Sequence, residues 1–402
     1  MSQDPMPEQA AASGRTAPSG AGARIAVTRL VLTEFRCYGQ LRIDLDPRPV
    51  VLTGPNGAGK TNLLEAVSFL SPGRGLRRAP LPEVTRRQAT GTAGWAVAAR
   101  LLTPTGEIQL GTQLEPGEGR RAVVIDGRPA PSQVAFGARA PMVWLTPQMD
   151  RLFGDAASQR RRFLDRLVFG FHPDHAGQLG AYEKAMRERN RLLKDSSRPD
   201  PAWLAALEDT MATSGTAVAA ARRELVARLR GAESLMIEGP FPRADLAIDG
   251  RIEAWLDDRP AVDAEEAFRG LLCDNRRIDA AAGAATEGPH RSDLSVHHRT
   301  KAMPAAQCST GEQKALLIGI VLANARLLAG ERGAPPLLLL DEVAAHLDEA
   351  RRAALYEEIL ALGAQAWMTG TDPALFAPLG DRAHHLGVDD ARVTARDAVG
   401  NG

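Results

Sequence analysis

Lysine is scarce in this sequence. Of 49 basic residues five are lysines, so arginine serves wherever a generic positive charge suffices. A compact, rotatable ammonium fits a tight phosphate cradle as a planar guanidinium cannot, and two of the five, Lys60 and Lys314, fall inside the motifs below. Cysteine is scarcer still. Cys37, Cys273 and Cys308 are odd in number, far apart and without CxxC spacing, which excludes a disulfide framework and a cysteine zinc site and points to a reducing cytoplasm. Net charge is absent too, with 49 basic against 49 acidic residues, so the chain as a whole is attracted neither to nucleic acid nor to a membrane. Any such surface must be local. The first two dozen residues have no apolar core of the kind a signal peptide needs and read as a disordered tail. No uninterrupted apolar run reaches membrane length: Ala315 to Ala329 is broken by Gly319, Asn324 and Arg326 and reads as a buried helix, with no membrane anchor expected.

A chain of 402 residues is too long for one simple core and long enough for a large α/β domain plus a smaller lobe. From Ile25 to Thr53 apolar residues alternate, and Val50 to Thr53 forms a short β run ending in a Gly-rich turn. Leu63, Ala66, Val67 and Leu70 then repeat at helical spacing. Strands are expected at Trp95 to Leu102, Glu107 to Leu114, Ala122 to Ile125 and Met142 to Leu145. Between about Ser158 and Leu235 helix formers dominate, with Leu164, Leu167, Val168 and Phe171 on one face. The α/β texture is expected to return after about Ala261, with a strand at Leu337 to Leu340, a helix from Glu349 to Leu362 and a strand near Trp367. The division that follows is a tail over 1–24, an α/β head in two parts over 25–157 and 261–402, and a helical lobe over 158–260.

The sharpest motif is Gly54-Pro55-Asn56-Gly57-Ala58-Gly59-Lys60-Thr61, a GxxxxGK sequence followed by Thr, after a strand and opening a helix. Small residues let backbone N–H groups face phosphates, the helix N-terminus adds partial positive charge, Lys60 reaches the β and γ oxygens, and Thr61 offers a hydroxyl to Mg²⁺. Asn62 follows directly. Leu337 to Leu340 runs into Asp341-Glu342, a buried strand ending in two acids. Asp341 is placed to hold the metal and Glu342 to orient and deprotonate an attacking water. Ser309-Thr310-Gly311-Glu312-Gln313-Lys314, just before the apolar run, fits two readings: a helix-capping box of Ser309 with Glu312, or a phosphate-binding signature using Ser309 and Gly311.

In the order phosphate loop, signature, paired acids, these motifs resemble the ABC-type ATPases. Ala345-His346-Leu347-Asp348 is similar to their D-loop, Thr369-Gly370-Thr371-Asp372 stands at the switch position where a transporter normally has His, and Gln148 is either their nucleotide-sensing glutamine or an ordinary loop residue. Further elements resemble the RecF family in particular: Phe35-Arg36-Cys37-Tyr38, Asn62-Leu63-Leu64-Glu65, Arg160 to Asp165, Tyr182 with Arg189 to Lys194, and Gly288 to Asp293. That resemblance implies a P-loop ATPase head assembled from both ends of the chain around a helical insertion. It implies ATP and Mg²⁺ as cofactors and an ATP-bridged homodimer on double-stranded DNA and single-strand/double-strand junctions. It also implies cooperation with RecR, and through it RecO and RecA, at gaps and in the SOS response, with weak ATP hydrolysis.

Independently of the family, Arg74, Arg77, Arg78, Arg86 and Arg87 form a positive stripe in a neutral chain, opposed nearby by Glu83 alone. They are the expected DNA contacts, matching the phosphate-neutralising surface of sequence-independent binding. The alternative is a solvated face, and Arg160 to Arg162 could equally brace the two lobes. A chromosome-organising SMC-like protein would share the head but needs a much longer coiled coil. A transporter subunit would carry His at the switch.

Overall fold

The computed structural model describes residues 23–88, 94–195, 200–234, 239–345 and 347–396. The chain begins with a hairpin, β1 (Ala26–Phe35) and β2 (Tyr38–Asp44), followed by β3 (Val50–Thr53), α1 (Lys60–Ser68), β4 (Trp95–Thr103), β5 (Gly106–Leu114), β6 (Ala122–Ile125) and β7 (Arg128–Pro129). One helical turn, α2 (Val134–Gly137), leads to β8 (Met142–Leu145). Three long helices follow, α3 (Ala157–Phe171), α4 (His175–Asp195) and α5 (Pro201–Ser234), then β9 (Ala244–Asp249), α6 (Arg251–Asp258), α7 (Ala261–Asp274), α8 (Arg276–Ala282), β10 (Asp293–His298) and β11 (Met303–Pro304). The chain continues through α9 (Thr310–Arg332), β12 (Leu337–Leu340), α10 (Glu349–Leu362), β13 (Ala366–Gly370), β14 (His384–Asp389) and β15 (Arg392–Ala395).

The central sheet has the order β15-β14-β3-β13-β12-β8 and is parallel except at its β15 edge. Buried on both faces, its strands read as continuous apolar runs instead of alternating ones. The period of two sorts each strand between two cores: Leu338 and Leu340 pack with α9 and α10, while Leu337, Leu339 and Trp367 pack with α1 and the antiparallel sheet β2-β1-β4-β5-β6-β7. Helix α9 is long and apolar enough by composition to cross a membrane, but 78% of its most apolar window is buried in the protein, so it is the core helix expected.

A third core, including Tyr182, Met211, Phe268 and Leu272, lies among α4, α5, α6 and α7. Helices α7 and α8 pack on α5 and α4, so helical texture persists to Ala282 and encloses β9, instead of giving way near Ala261. The periodicity of α7 is amphipathic like that of α5, and nothing local marks which core it joins.

A buried ion-pair cluster holds the lobe helices α3, α4 and α5 to one another, and a half-buried pair joins α3 to β10 of the head. Arg222 on α5 grips Asp165 of α3 with two 2.8 Å bonds and donates to Pro289 O at 2.6 Å, while His175 meets Asp165 at 2.8 Å. Arg160 grips Asp293 at 2.7 and 2.6 Å, and Arg161 donates to Ser292 O at 2.6 Å. Two of the expected lobe braces are therefore Arg160 and Arg161; Arg162 stays exposed. Burial alone would raise the Asp165 carboxyl, but Arg222 and His175 outweigh it and hold the group far below the usual carboxylate range.

Removing one partner of a buried pair strands the other, so Asp165→Asn should cost about 3–5 kcal/mol, read as a lower urea midpoint at unchanged m-value. Because the folded pKa is depressed, the wild-type contribution is complete above the unfolded carboxyl value of about 3.9 and fades as pH falls below it. Asp165→Asn should flatten that acid limb; an unchanged midpoint at pH 7 would show that the pair does not hold α3 to α5.

Candidate nucleotide site

Parallel strands bring their carboxyl ends to one edge of the central sheet, and the chain departs from β3 there through the Gly-rich turn. Gly54 follows β3 where a Cβ would lie 1.9 Å from Val388 O of the neighbouring β14, a clash only glycine avoids. Gly59 has φ 115° and caps α1 without any side-chain hydrogen bond, so the first-turn amides of that helix are not claimed by a cap. Its own approach to the β1–β2 turn is as close, with a Cβ falling 2.6 Å from Tyr38 Oη. The turn is therefore a bare backbone cradle at a helix N-terminus, the arrangement that binds phosphate.

Lys60 is buried and donates to Gly54 O at 2.7 Å and Pro55 O at 2.8 Å, folded over its own loop. Burial holds its ammonium below the usual lysine value, with Glu342 and Asp341 partly offsetting that. Thr61 donates to Asp341 Oδ1 at 2.9 Å, so residues that the sequence assigned separately to one metal meet across the strands. Thr369, at the end of β13, donates to the same oxygen at 2.8 Å and accepts the Glu342 N–H at 2.8 Å. Glu342 itself is half-buried with φ 50°. A hydroxyl beside one carboxylate is a hard-oxygen set that suits Mg²⁺, which is held by few protein ligands and completes its shell with water and phosphate. Among the described residues no cluster of three or more His, Cys, Asp or Glu side chains competes as a metal site.

Ser309 is the N-cap of α9, with the capping box formed: its Oγ accepts from Glu312 N at 3.4 Å and Glu312 Oε2 accepts from Ser309 N at 3.1 Å. Lys301 pairs with Glu312 beside it. The box does not displace the signature reading, because it fixes exposed Ser309 and half-buried Gly311 at a helix N-terminus. It does not bring Ser309 to Lys60 of the same chain through any hydrogen bond described here. Buried Lys314 ties this helix to the sheet edge, donating to Ala345 O at 2.9 Å and reaching Asp150 at 3.4 Å. His346 lies outside the described residues. Gln148 is exposed in the 3₁₀ turn Pro147–Arg151 that follows β8, on the same sheet edge as Asp341.

The arginine stripe divides. Arg77 donates to Asn62 Oδ1 at 2.7 Å and lies 3.4 Å from Glu65, and Arg86 pairs with Glu34 at 2.8 Å, so two acids distant in sequence oppose the stripe besides Glu83. Arg86 and Arg87 line an open cleft of about 780 Å³ beside the phosphate loop, with Arg36, Cys37, Gly57, Ala58, Asn62 and Asp390 among the other walls. Arg36, not singled out as a site residue from sequence, is fixed there by Glu65 at 2.7 and 2.8 Å; its φ of 56° turns the hairpin toward the loop. Arg74 and Arg78 are exposed as residues and do not line the cleft, and the Arg78 guanidinium is partly desolvated beside Arg162 and Arg74. Burial, followed by Arg162, lowers the Arg78 guanidinium. Arg121 and Arg166 hold that segment from below through Ser71 O at 2.7 Å and Pro72 O at 3.1 Å, with Arg166 lying 3.7 Å over the Trp144 ring.

Comparison with known proteins fits this geometry. The family described as RecF/RecN/SMC N terminal domain matches residues 26–377. DNA replication and repair protein RecF of Mesorhizobium japonicum is 54% identical over 370 residues, covering 91% of this chain and 97% of that protein. RecF of Rhizobium etli is 51% identical, covering 92% and 99%. Among solved structures, the recombination mediator RecF with ATP superposes with TM-score 0.80 at 19% identity over 94% of this chain and 100% of that one. An Smc head domain with an extended coiled coil from Pyrococcus furiosus reaches 0.52 at 14% identity over 93% and 96%. With a phosphate loop, paired acids and capped signature helix set on one α/β head, and with this extent of identity, the chain belongs to the RecF family of the RecF/RecN/SMC group.

Proposed function

We propose that this chain is an ATP-dependent DNA-binding protein of recombinational repair and replication restart, acting in the cytoplasm as an ATP-bridged dimer with slow hydrolysis. The observation that carries the reading is the junction of Thr61 and Asp341, 2.9 Å apart, which unites the phosphate cradle and the acids in one site. The names of the relatives and the ATP-bound RecF neighbour support the choice of nucleotide and pathway.

In this reading the cleft walled by Arg36, Cys37 and Asp390 takes the nucleoside, and the amides of Gly57 to Thr61 take the phosphates. Lys60 leaves the loop carbonyls for the β and γ oxygens. Thr61 and Asp341 would hold Mg²⁺, which would supply charge neutralisation on the phosphates. Glu342 accepts the proton of the attacking water. Ser309, exposed, and Gly311, half-buried, stand at the start of a separate helix, so they close on the γ-phosphate of a second copy, and ATP bridges two chains. The dimer presents Arg74 and Arg78 to DNA phosphates, at gaps and junctions where RecR, RecO and RecA act.

Glu342→Gln should keep ATP affinity while turnover falls by about 10²–10⁴-fold and the dimer persists, whereas Asp341→Asn should lose Mg²⁺-dependent binding. Fluorescent-nucleotide titration and phosphate release read both; normal turnover in Glu342→Gln would place the base elsewhere.

Ser309→Arg should abolish ATP-induced dimerisation in analytical ultracentrifugation without weakening nucleotide binding by the monomer. A variant that still dimerises, or a wild type that stays monomeric with a non-hydrolysable analogue, would overturn the bridged site.

Charge reversal separates the two halves of the stripe. Arg74→Glu with Arg78→Glu should weaken DNA binding on every sequence and lower the slope of log K against log salt by roughly 0.9 per lost contact. Arg86→Glu with Arg87→Glu should instead raise the ATP dissociation constant. An unaltered salt slope in the first pair assigns it to solvent.

A further inference from the structure

Glu342 is a non-glycine residue with a left-handed backbone, a conformation that persists where the surroundings over-determine it. Both ends of the peptide are held. Asp341 N donates to Leu145 O of β8 at 2.9 Å, and Ala345 N closes the following turn on Glu342 O at 3.2 Å. Between them the Glu342 N–H has one partner, the Thr369 hydroxyl at 2.8 Å. That hydroxyl spends its only proton on Asp341 Oδ1 at 2.8 Å, and it is fully buried, so water does not substitute for it. One hydroxyl thus fixes the backbone of one acid and the carboxylate of the other. With Thr61 donating to Oδ1 as well, Asp341 Oδ2 has no hydrogen-bond partner among the described residues.

We propose that Thr369 is a positioning residue for phosphoryl transfer: by accepting the Glu342 amide and donating to Asp341 Oδ1, it holds the metal-binding carboxylate and the water-activating carboxylate in fixed relation. The side chain at this strand end contacts both acids from within the chain. The inference rests on the ATPase reading of the site. Serine can make both bonds; valine, nearly the same shape, makes neither and leaves a buried N–H without an acceptor.

The test compares Thr369→Val and Thr369→Ser in the full chain. Exchange of the Glu342 amide, followed by NMR in the nucleotide-free protein, should quicken at least ~10-fold in Thr369→Val and stay near wild type in Thr369→Ser. With ATP, Thr369→Val should lower kcat by about 10–100-fold and raise the Mg²⁺ concentration needed for half-maximal nucleotide binding, with KM changing far less; Thr369→Ser should restore most of both. Wild-type exchange and Mg²⁺ dependence in Thr369→Val would overturn the proposal, as would equal losses in both variants. A wild type that neither binds nor hydrolyses ATP would instead sink the function proposed above, while the amide exchange would still report on the clamp.

Discussion

Thr61 and Thr369 donate to the same oxygen of Asp341, and the three residues arrive from the start of α1 and the ends of two neighbouring parallel strands. That convergence needs β3, β13 and β12 to lie side by side with their carboxyl ends flush, which the register supplies by pairing Thr53 with Gly370 and Leu340 with Met368. A parallel sheet cannot be built from adjacent segments, because each strand requires a crossover to return to the same edge. The chain therefore lays down β3 early and β12 and β13 late, and the site exists only once both ends have met.

The same constraint explains the cores. Sandwiched strands must be apolar on both faces, hence Val50 to Thr53 and Leu337 to Leu340, and α9 must be apolar nearly all round because sheet, α3 and α5 enclose it. Its polar end is then free for a role at the surface, with Ser309 capped and Lys314 anchored to Ala345. Movement of α9 relative to the sheet edge would be felt at once by the turn carrying Asp150 and Gln148 and by the segment after Glu342.

The helical lobe is tied on by charge as well as by apolar packing. Asp165 and Arg160 of α3, Arg222 of α5 and Asp293 of β10 come from three separate elements and are held at hydrogen-bond distance with directional, bidentate geometry. Apolar contact alone tolerates sliding; paired forks do not. Helix α5, at 34 residues, extends roughly 50 Å, and among the described residues no coiled coil of the sort that gives an SMC protein its reach continues from it.

Some of this protein could be read from the sequence alone, because it is encoded by local chemistry. A GxxxxGK run followed by Thr between a β run and a helical period points to a phosphate cradle, and an apolar run ending in Asp-Glu gains weight when paired with it. Ser309 with Glu312 fits a cap as well as a signature. The strands at Val50, Ala122, Met142 and Leu337 and the helix from Glu349 to Leu362 followed from periodicity in the same way. Pairings between distant residues were not legible. Glu65 and Glu34 neutralise part of a stripe that appeared to face one acid, Arg86 and Arg87 line a cleft where DNA contacts were expected, and α7 and α8 join the lobe although the sequence shows no break in their favour. Thr369 looked like a variant of a switch residue until folding set its hydroxyl between two acids. Hydrogen bonds and ion pairs act over about 3 Å, and only the tertiary structure decides which residues far apart in the chain come within that distance.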